Sequence, residues 1–425
     1  MKQYFFIMVL CLMSVFACTN DDVLFVETEN KLAVENTLGN KRTFEEAISI
    51  AQNALEIFNS PQTRSGGKKI DFSKVQYVVD DVLTRNGNAD TLMYVFNYED
   101  NQGYAIVSAN KKTEALIAVT ERGTYSEESE KECPGLALYM DMAREYTTTS
   151  FDGPSTDTGD FDHLVEHKFE AIRDTFYHGP YVDVKWGQGE PYNNNCPIDN
   201  GVRCPTGCAA TAIAQILSYY EYPGSIYGQT YNWSELKQHN RSTYNNQCAC
   251  SSNNHNNLAR LFRDIGDGVD MRYSSTGSGS SIYEAADFLM DLDFLVDGPS
   301  SFNQTKINDE VRNGRAVYIR GENHQNNKVS GHAWVLDGLM NIKVTSNEYE
   351  RPFGQLLWTL VESITTYTYY NHFNWGWNGN NNGYFLSNVF DVTQYKILDE
   401  GSVSTETYNL EHDVQILTNI KIPVF

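Results

Sequence analysis

The feature of this sequence with the strongest structural consequences is a helix that begins at a cysteine. Thr206-Gly207-Cys208 opens the helical run Cys-Ala-Ala-Thr-Ala-Ile-Ala-Gln-Ile-Leu-Ser-Tyr-Tyr. Pro223 and Gly224 end it, because neither residue continues a helix well. Strand-like runs follow at residues 316–320, 333–336 and 383–386. The second half of the chain is therefore predicted to have a helical part followed by a β-rich part, which is an α+β fold.

The first half predicts a separate, smaller α+β unit. Thr43-Phe44-Glu45-Glu46 is a capping-box pattern at the start of an amphipathic helix. Four β-rich runs follow at 75–79, 92–96, 104–107 and 116–119, and then a helical pattern at 136–146. A polar linker at 152–160 ends this unit. It contains no cluster of catalytic residue types, so we expect it to support or plug the second half.

The first 18 residues have the pattern of an export signal. Lys2 precedes an apolar run from Tyr4 to Ala17, which is shorter than the roughly 20 residues of a membrane-spanning helix. Because the run ends at Cys18, we expect a bacterial lipoprotein signal in which Cys18 is acylated. Plain secretion is the alternative. No later segment is apolar enough to span a bilayer, so membrane contact is expected only through this lipid.

Charge excludes one class of partner. The chain has 32 Lys and Arg residues against 55 Asp and Glu residues, with a formal net charge of −23. Nucleic-acid binding depends on clustered basic residues that contact phosphates. We therefore expect no nucleic-acid partner.

Cys208 and His332 are the candidate reactive pair. A thiol attacks as a thiolate, and a free cysteine titrates near about 8.5. Cys208 lies on the first turn of its helix, with Thr206 as the predicted cap, where the helix dipole favours an anion. His332 starts an apolar strand-like run and can accept the thiol proton. Each residue alone is more typical of a buried structural side chain, and His372 is a competing histidine.

Three further residues complete a plausible site. Asn374 can accept a hydrogen bond from an imidazole, and the adjacent Trp375 can shield that bond from water. Gln188, in the loop before the cysteine helix, can donate its amide to an oxyanion beside the Cys208 N–H. The order Gln188, Cys208, His332, Asn374 is that of papain-type peptidases, and His332 follows Cys208 by 124 residues.

The stretches around these residues resemble streptopain and related bacterial cysteine proteases. The matching stretches are 187–193, 206–216, 331–338 and 374–377, together with the Ser/Gly loop at 273–281. Upstream, 93–97 and 103–108 look like the propeptide of that family. The resemblance implies a papain-like two-lobed peptidase, with a helical lobe and a β-rich lobe, preceded by an α+β inhibitory prodomain.

The resemblance also implies domains and roles. The implied segments are a signal peptide at 1–18, a prodomain with linker at 19–170 and a catalytic domain at 171–425. Cys208 would be the nucleophile and His332 the general base. Gln188 would help form the oxyanion hole. Asn374 or Trp375 would orient or shield the histidine, and the choice between the two is open. No cofactor and no metal ion are expected.

The implied protein is a cysteine endopeptidase made as an inactive zymogen, which cleaves peptide bonds through a thiolate–imidazolium pair and an acyl-enzyme. Its expected partners are protein or peptide substrates, its own prodomain as inhibitor, and an activating protease (itself or another) acting between the linker and Arg173. We expect an exported precursor at the outer membrane or cell surface, and release of the mature enzyme. The alternatives are a catalytically silent surface-binding protein, or another Cys/His enzyme of the transglutaminase-like or cell-wall peptidase type.

Some features depart from that family. Four additional cysteines in the predicted catalytic domain could form two disulfides, with three possible connectivities: Cys196, Cys204, Cys248 and Cys250. A metal site is the other option, but their spacings do not match the usual zinc motifs. Cys133 would remain unpaired in the prodomain. The motifs do not explain residues 388–425.

Overall fold

The computed structural model describes residues 23–24, 40–55, 68–83, 89–148, 165–238, 252–325, 328–352, 355–390 and 412–423. The predicted signal at 1–18, the polar linker at 152–160, Cys248 and Cys250 lie outside these residues. The chain divides into two compact units. One comprises 1–31, 158–175 and 342–367, and the larger comprises 32–157, 176–341 and 368–425.

The described helices and strands follow each other in a mixed order. The helices are α1 (Phe44–Ala54), α2 (Glu127–Glu132), α3 (Pro134–Thr148), α4 (Cys208–Tyr220), α5 (Trp233–Gln238), α6 (Ser252–Gly268), α7 (Ile282–Asp291) and α8 (Gln304–Arg312). The strands are β1 (Val23–Leu24), β2 (Ile70–Leu83), β3 (Ala89–Tyr98), β4 (Tyr104–Ser108), β5 (Leu116–Thr120), β6 (Val165–His178), β7 (Ile198–Asp199), β8 (Val202–Arg203), β9 (Ser225–Ile226), β10 (Gln229–Thr230), β11 (Leu295–Ser301), β12 (Val317–Gln325), β13 (Lys328–Pro352), β14 (Thr359–Asn374), β15 (Gly383–Leu386) and β16 (His412–Lys421). This arrangement confirms the α+β class.

The N-terminal part of the larger unit forms as its sequence predicts. Thr43 caps α1 reciprocally with Glu46, and Ala47 and Ala51 face the core. The four predicted β-rich runs lie in β2 to β5, which pair in antiparallel order. The second predicted helix is α3, with most of its residues buried.

The helix that begins at Cys208 lies in the interior. Every residue of α4 from Cys208 to Ser218 is buried, because the run is small or apolar on almost all sides. Its core neighbours include Phe262 of α6 and Leu289 of α7, together with Val335 of β13. A helix covered on all sides is held firmly in place, which fixes the position of its first residue.

One large sheet runs through both halves of the chain. Its strand order is β11-β16-β12-β13-β14-β15-β5-β4-β3-β2. The strand β16, from the C-terminal stretch that the sequence motifs did not explain, lies between β11 and β12. In the middle of the sheet, β15 pairs with β5 through Gly383↔Thr120 and Phe385↔Ala118. The predicted prodomain and catalytic domain therefore share backbone hydrogen bonds.

The cysteines differ from the disulfide expectation. Cys196 and Cys204 are both buried free thiols, so neither of the two predicted disulfides is present at these positions. Cys133 is also a free, buried thiol.

Among the described residues, no helix is long and apolar enough to cross a membrane.

Candidate active site

Cys208 is the first residue of α4, and its N-cap is Gly207, not Thr206 as predicted. Gly207 has φ 86°, and a Cβ there would lie 2.6 Å from Met271 Sδ. Only glycine fits both this conformation and this space. Thr206 instead hydrogen-bonds Thr211 at 2.9 Å between their Oγ1 atoms. Because Gly207 has no side chain, no cap hydrogen bond occupies the first-turn N–H groups of α4. These groups point toward the end of the helix at which Cys208 lies.

His332 interacts with the Cys208 thiol and lowers its pKa. The histidine lies on β13, paired with Gly321 of β12, and is only 2% exposed. Its Nε2 lies 2.9 Å from the main-chain carbonyl oxygen of Trp375. A carbonyl only accepts, so Nε2 carries a proton and donates it there. This leaves Nδ1 as the nitrogen that can exchange a proton with Cys208.

Three tryptophans surround the imidazole of His332. The rings of Trp334 and Trp377 stack on it with centroids 6.2 and 6.4 Å away, and the Trp375 ring is tilted at 6.5 Å. Such aromatic cover limits the access of water to the ring. It strengthens the electrostatic interaction between His332 and Cys208, because the local dielectric is low.

The surroundings of Cys208 favour its thiolate. Burial raises the pKa of the thiol, but the hydrogen bond and charge of His332, the Ala333 N–H and the charge of Arg320 outweigh it and lower the pKa to about 7. By contrast, burial raises the pKa of Cys133 to about 12 and that of Cys196 to about 11. Of these three thiols, Cys208 is the one whose surroundings favour the thiolate form.

This pKa predicts the pH dependence of alkylation. Processing removes part of the burial that raises this pKa, so the midpoint in the processed protein should lie no higher than about pH 7. Below the midpoint, the rate of Cys208 modification by iodoacetamide should rise about tenfold per pH unit, and above it the rate should level off, since only the thiolate reacts. Peptide mass spectrometry across a pH series measures this profile. Cys196 in the same sample should react far more slowly at pH 7. A Cys208 midpoint near pH 9 would contradict the pairing with His332.

Arg320 and Tyr318 belong to the site but were not predicted from the sequence. Both lie on β12 at alternate positions, and both interact electrostatically with Cys208. The Arg320 guanidinium is held by the Ser280 carbonyl at 2.7 Å and by Glu322. The signal that would have revealed them is an arginine at the end of the otherwise apolar run 316–320, two residues after a tyrosine on the same face.

Asn374 lies beside the histidine without bonding to it. Its Nδ2 donates to the Val184 carbonyl at 2.9 Å, and its Oδ1 accepts from Gln215 of α4 at 3.0 Å. It also accepts from the Gly376 N–H at 3.3 Å. Asn374 therefore fixes the chain on both sides of Trp375. The His332 contact itself belongs to the Trp375 carbonyl.

Trp375 is held at three points. Its N–H donates to Asn382 at 3.1 Å, its indole Nε1–H donates to the Asn381 carbonyl at 3.0 Å, and its carbonyl accepts from His332. It thus orients the imidazole with its backbone and shields it with its ring.

Gln188 lies in the loop next to the start of α4. Its backbone carbonyl accepts from the Thr206 N–H at 3.0 Å, which places the loop two residues before Cys208. The side chain is half-buried. Among the hydrogen bonds of the described residues, none joins the Gln188 amide to Cys208. The structure thus bonds the Gln188 backbone to Thr206 but does not show the Gln188 amide engaged with Cys208.

His372, the competing histidine, is a buried structural residue. Its Nδ1 lies 2.6 Å from Asp337, and its Nε2 lies 3.4 Å from Glu121 of the N-terminal part. Burial opposes the charged form, but these two carboxylates outweigh it and raise the pKa of His372 to about 10. A histidine that stays protonated at neutral pH cannot serve as a general base.

Helix α3 of the N-terminal part packs directly on the histidine. A Cβ placed on Gly135 would lie 2.5 Å from the Trp375 ring and 2.6 Å from His332 Cδ2. Further along the helix, Leu138 occupies the space in which a Cβ of Gly321 would lie. The N-terminal part therefore covers the reactive pair.

Comparison with known protein families agrees with this architecture. Residues 186–385 match the family model described as the peptidase C10 family, and residues 35–147 match that of the Spi protease inhibitor. The second half of the chain thus matches the peptidase C10 family. The expected class, a cysteine peptidase with an inhibitor prodomain, is thereby confirmed.

Curated relatives include two bacterial proteases. The chain is 25% identical over 352 residues to the thiol protease/hemagglutinin PrtT of Porphyromonas gingivalis, covering 71% of this chain but only 34% of that protein. It is 24% identical over 331 residues to streptopain of Streptococcus pyogenes, covering 69% of this chain and 73% of streptopain. The chain thus spans about a third of the length of the first of these relatives.

Similar solved structures come from Prevotella intermedia. A fragment of prointerpain A is 19% identical, covers 81% of this chain and 98% of that chain, and has a TM-score of 0.49. Active interpain A cysteine protease is 22% identical, covers 56% of this chain and 94% of that chain, and has a TM-score of 0.38.

Proposed function

We propose that this chain is the precursor of an exported cysteine endopeptidase in which Cys208 and His332 cleave peptide bonds. The observation that carries the proposal is the pairing of Cys208, the first residue of a buried helix, with His332, which lowers the pKa of the thiol to about 7. A thiolate beside a protonated imidazole at neutral pH is the state required for nucleophilic attack on a carbonyl.

In the first half of the reaction, the Cys208 thiolate attacks the carbonyl carbon of the scissile peptide bond and forms a carbon–sulfur bond. The carbonyl oxygen takes up the negative charge. In this proposal the Cys208 N–H at the start of α4 and the Gln188 side-chain amide donate hydrogen bonds to that oxyanion. His332 then gives its proton to the amide nitrogen, the carbon–nitrogen bond breaks, and an amine leaves with an acyl-enzyme remaining on Cys208.

In the second half, His332 removes a proton from water, and the resulting hydroxide attacks the acyl carbon. The carbon–sulfur bond breaks, the acid product leaves, and Cys208 is again a thiolate beside a protonated His332. Both halves require the imidazole to hold one orientation. The Trp375 carbonyl supplies that orientation, and Asn374 positions the carbonyl through its bonds to Gln215 and Gly376.

The prodomain keeps the precursor inactive by occupying the site. Gly135 lies against His332 and Trp375, so that a substrate backbone cannot reach the Cys208–His332 pair. Glu121 anchors the same prodomain through Lys185 at 3.1 Å and His372. Activation requires proteolysis of the connection, and we place the cleavage between Asp152 and Trp186, in the region that includes Arg173.

A thiol-directed epoxide inhibitor tests nucleophile and zymogen together. We expect labelling of Cys208 only after processing, because the prodomain covers it beforehand, and we expect N-terminal sequencing to place the mature start between Asp152 and Trp186. Casein should be hydrolysed and cell-wall peptides should not. Labelling at another cysteine, or equal labelling of the precursor, would contradict the proposal. If the first residue of the processed form lay outside 152–186, only the proposed cleavage region would be wrong.

We further propose that the precursor is exported and acylated at Cys18, at the outer membrane or cell surface, and that processing releases the mature enzyme. The support is the apolar run that ends at Cys18. Radiolabelled palmitate should be incorporated into the precursor and not into its Cys18→Ser variant. Equal incorporation, or none in either protein, would rule out the lipid and leave plain secretion.

A further inference from the structure

The smaller unit holds a cluster of metal-ligand side chains far along the chain from the reactive cysteine. His167 lies on β6, and Glu348 and Glu350 lie on β13, its neighbour in the sheet. The two glutamates are two positions apart on one strand, so they share a face. One ligand atom from each of the three side chains lies within 4.8 Å of the others.

The spacing of these atoms suits a small four-coordinate cation. His167 Nδ1 lies 2.9 Å from Glu348 Oε1 and 3.8 Å from Glu350 Oε1. Tetrahedral zinc, with bonds of about 2.0–2.1 Å, holds its ligand atoms about 3.3 Å apart, which lies between these two distances. One imidazole and two carboxylates form a ligand set that zinc accepts. The side chains are 19%, 23% and 41% exposed, so a water molecule can fill the fourth position.

The negative charges of Glu348 and Glu350 also favour the binding of a cation. Two carboxylates face one imidazole, and in the described part of the chain neither glutamate forms an ion pair with a lysine or arginine. The nearest basic residue on β6, Lys168, is one position along and so faces the other side of the sheet. There it pairs with Glu170 and lies 5.9 Å from the centre of the Tyr349 ring.

We propose that His167, Glu348 and Glu350 bind a zinc ion, with water as the fourth ligand, and that the ion fastens strand β6 to strand β13. The strand β6 contains Arg173 and lies within the region in which we place the activating cleavage. As a consequence that rests on the proposed function, zinc protects this strand from proteases, and cleavage after His167 dismantles the site.

Zinc binding is measured by calorimetry on the Cys208→Ala precursor, which removes the reactive thiol as a competing ligand. We expect one zinc ion per chain. Affinity should fall at least tenfold in His167→Ala and in the milder Glu350→Gln, whose half-exposed side chain makes misfolding a poor explanation. Lys168→Ala, on the opposite face, is the matched control and should bind zinc normally. Unchanged affinity in both ligand variants, or no binding at all, would overturn the proposal.

Two further readouts separate this site from the cysteines and from the proposed activity. Cobalt(II) bound in place of zinc should show d–d bands without thiolate charge-transfer absorption, and a thiolate spectrum would overturn the assignment. Trypsin, added to the same inactive precursor, should cut β6 more slowly with zinc present, and the protection should vanish in Glu350→Gln. Because trypsin supplies the cleavage, this result does not depend on whether the protein is itself a protease. Protection that persists in Glu350→Gln would refute the role of the site.

Discussion

Replacing Cys208 by alanine should abolish peptide-bond hydrolysis while leaving the protein folded. The thiolate is the only group of the pair that forms the bond to the substrate, so His332 and the oxyanion donors have no intermediate to stabilise without it. We expect kcat/KM to fall at least about 10⁴-fold, as for other nucleophile deletions. The side chain loses only its sulfur at a site lined by small residues of α4. The measurement is hydrolysis of casein or a fluorogenic peptide after processing by an added protease.

Cys196→Ala is the matched control for this result. It removes another buried thiol of the same domain, whose pKa burial raises to about 11, so it is not a nucleophile at neutral pH. Its activity should stay within about threefold of the parent. If Cys208→Ala kept its activity, or if folded Cys196→Ala lost it, the assignment of the nucleophile would be wrong.

Gly135→Val should release the active site of the unprocessed precursor. Even the first side-chain carbon at this position would lie 2.5 Å from the Trp375 ring and 2.6 Å from His332, so valine must push α3 away. Overpacking of this kind costs about 1–3 kcal/mol. That energy corresponds to a population of uncovered sites about 5- to 150-fold larger. The rate of Cys208 labelling by the epoxide inhibitor in the intact precursor should rise by the same factor.

Thr148→Ala provides the control at the other end of the same helix. Thr148 is exposed, and among the described residues its hydroxyl bonds to the Glu145 carbonyl at 2.8 Å, so its loss leaves the contact with His332 intact. The labelling rate of this variant should equal that of the parent. If Gly135→Val also labelled at the parental rate while remaining folded, the contact of α3 with His332 would not be what closes the site.

The features that could be predicted from the sequence are those that depend on a few residues close together along the chain. The capping box at Thr43, the helix that begins at Cys208 and the strand that carries His332 all follow from patterns of a few residues. The cap of α4 was predicted at Thr206 and lies at Gly207. The reason is not local, since Met271, over sixty residues away, occupies the space that any side chain at 207 would need.

The group that orients His332 could not be predicted from the sequence. An asparagine side chain is a visible candidate for orienting an imidazole, and Asn374 was named for that role together with Trp375. The bond to His332 comes from the Trp375 carbonyl, a group that every residue possesses. Because every residue has a backbone carbonyl, the sequence does not reveal which one accepts the bond from His332. The role of the Trp375 carbonyl becomes evident only in the folded structure, where it lies next to His332.

Short-range periodicity in the sequence was enough to predict the kind of fold, and residue chemistry was enough to make Cys208 and His332 candidates. The resemblance to a known family then implied their roles and the inhibitory unit. Folding was needed to bring Arg320 to Cys208, Gly135 to His332 and β16 into the sheet. It also set the pKa of the thiol, which results from burial opposed by charges that lie far apart in sequence. Such contacts arise from packing across the whole chain, and no local pattern encodes them.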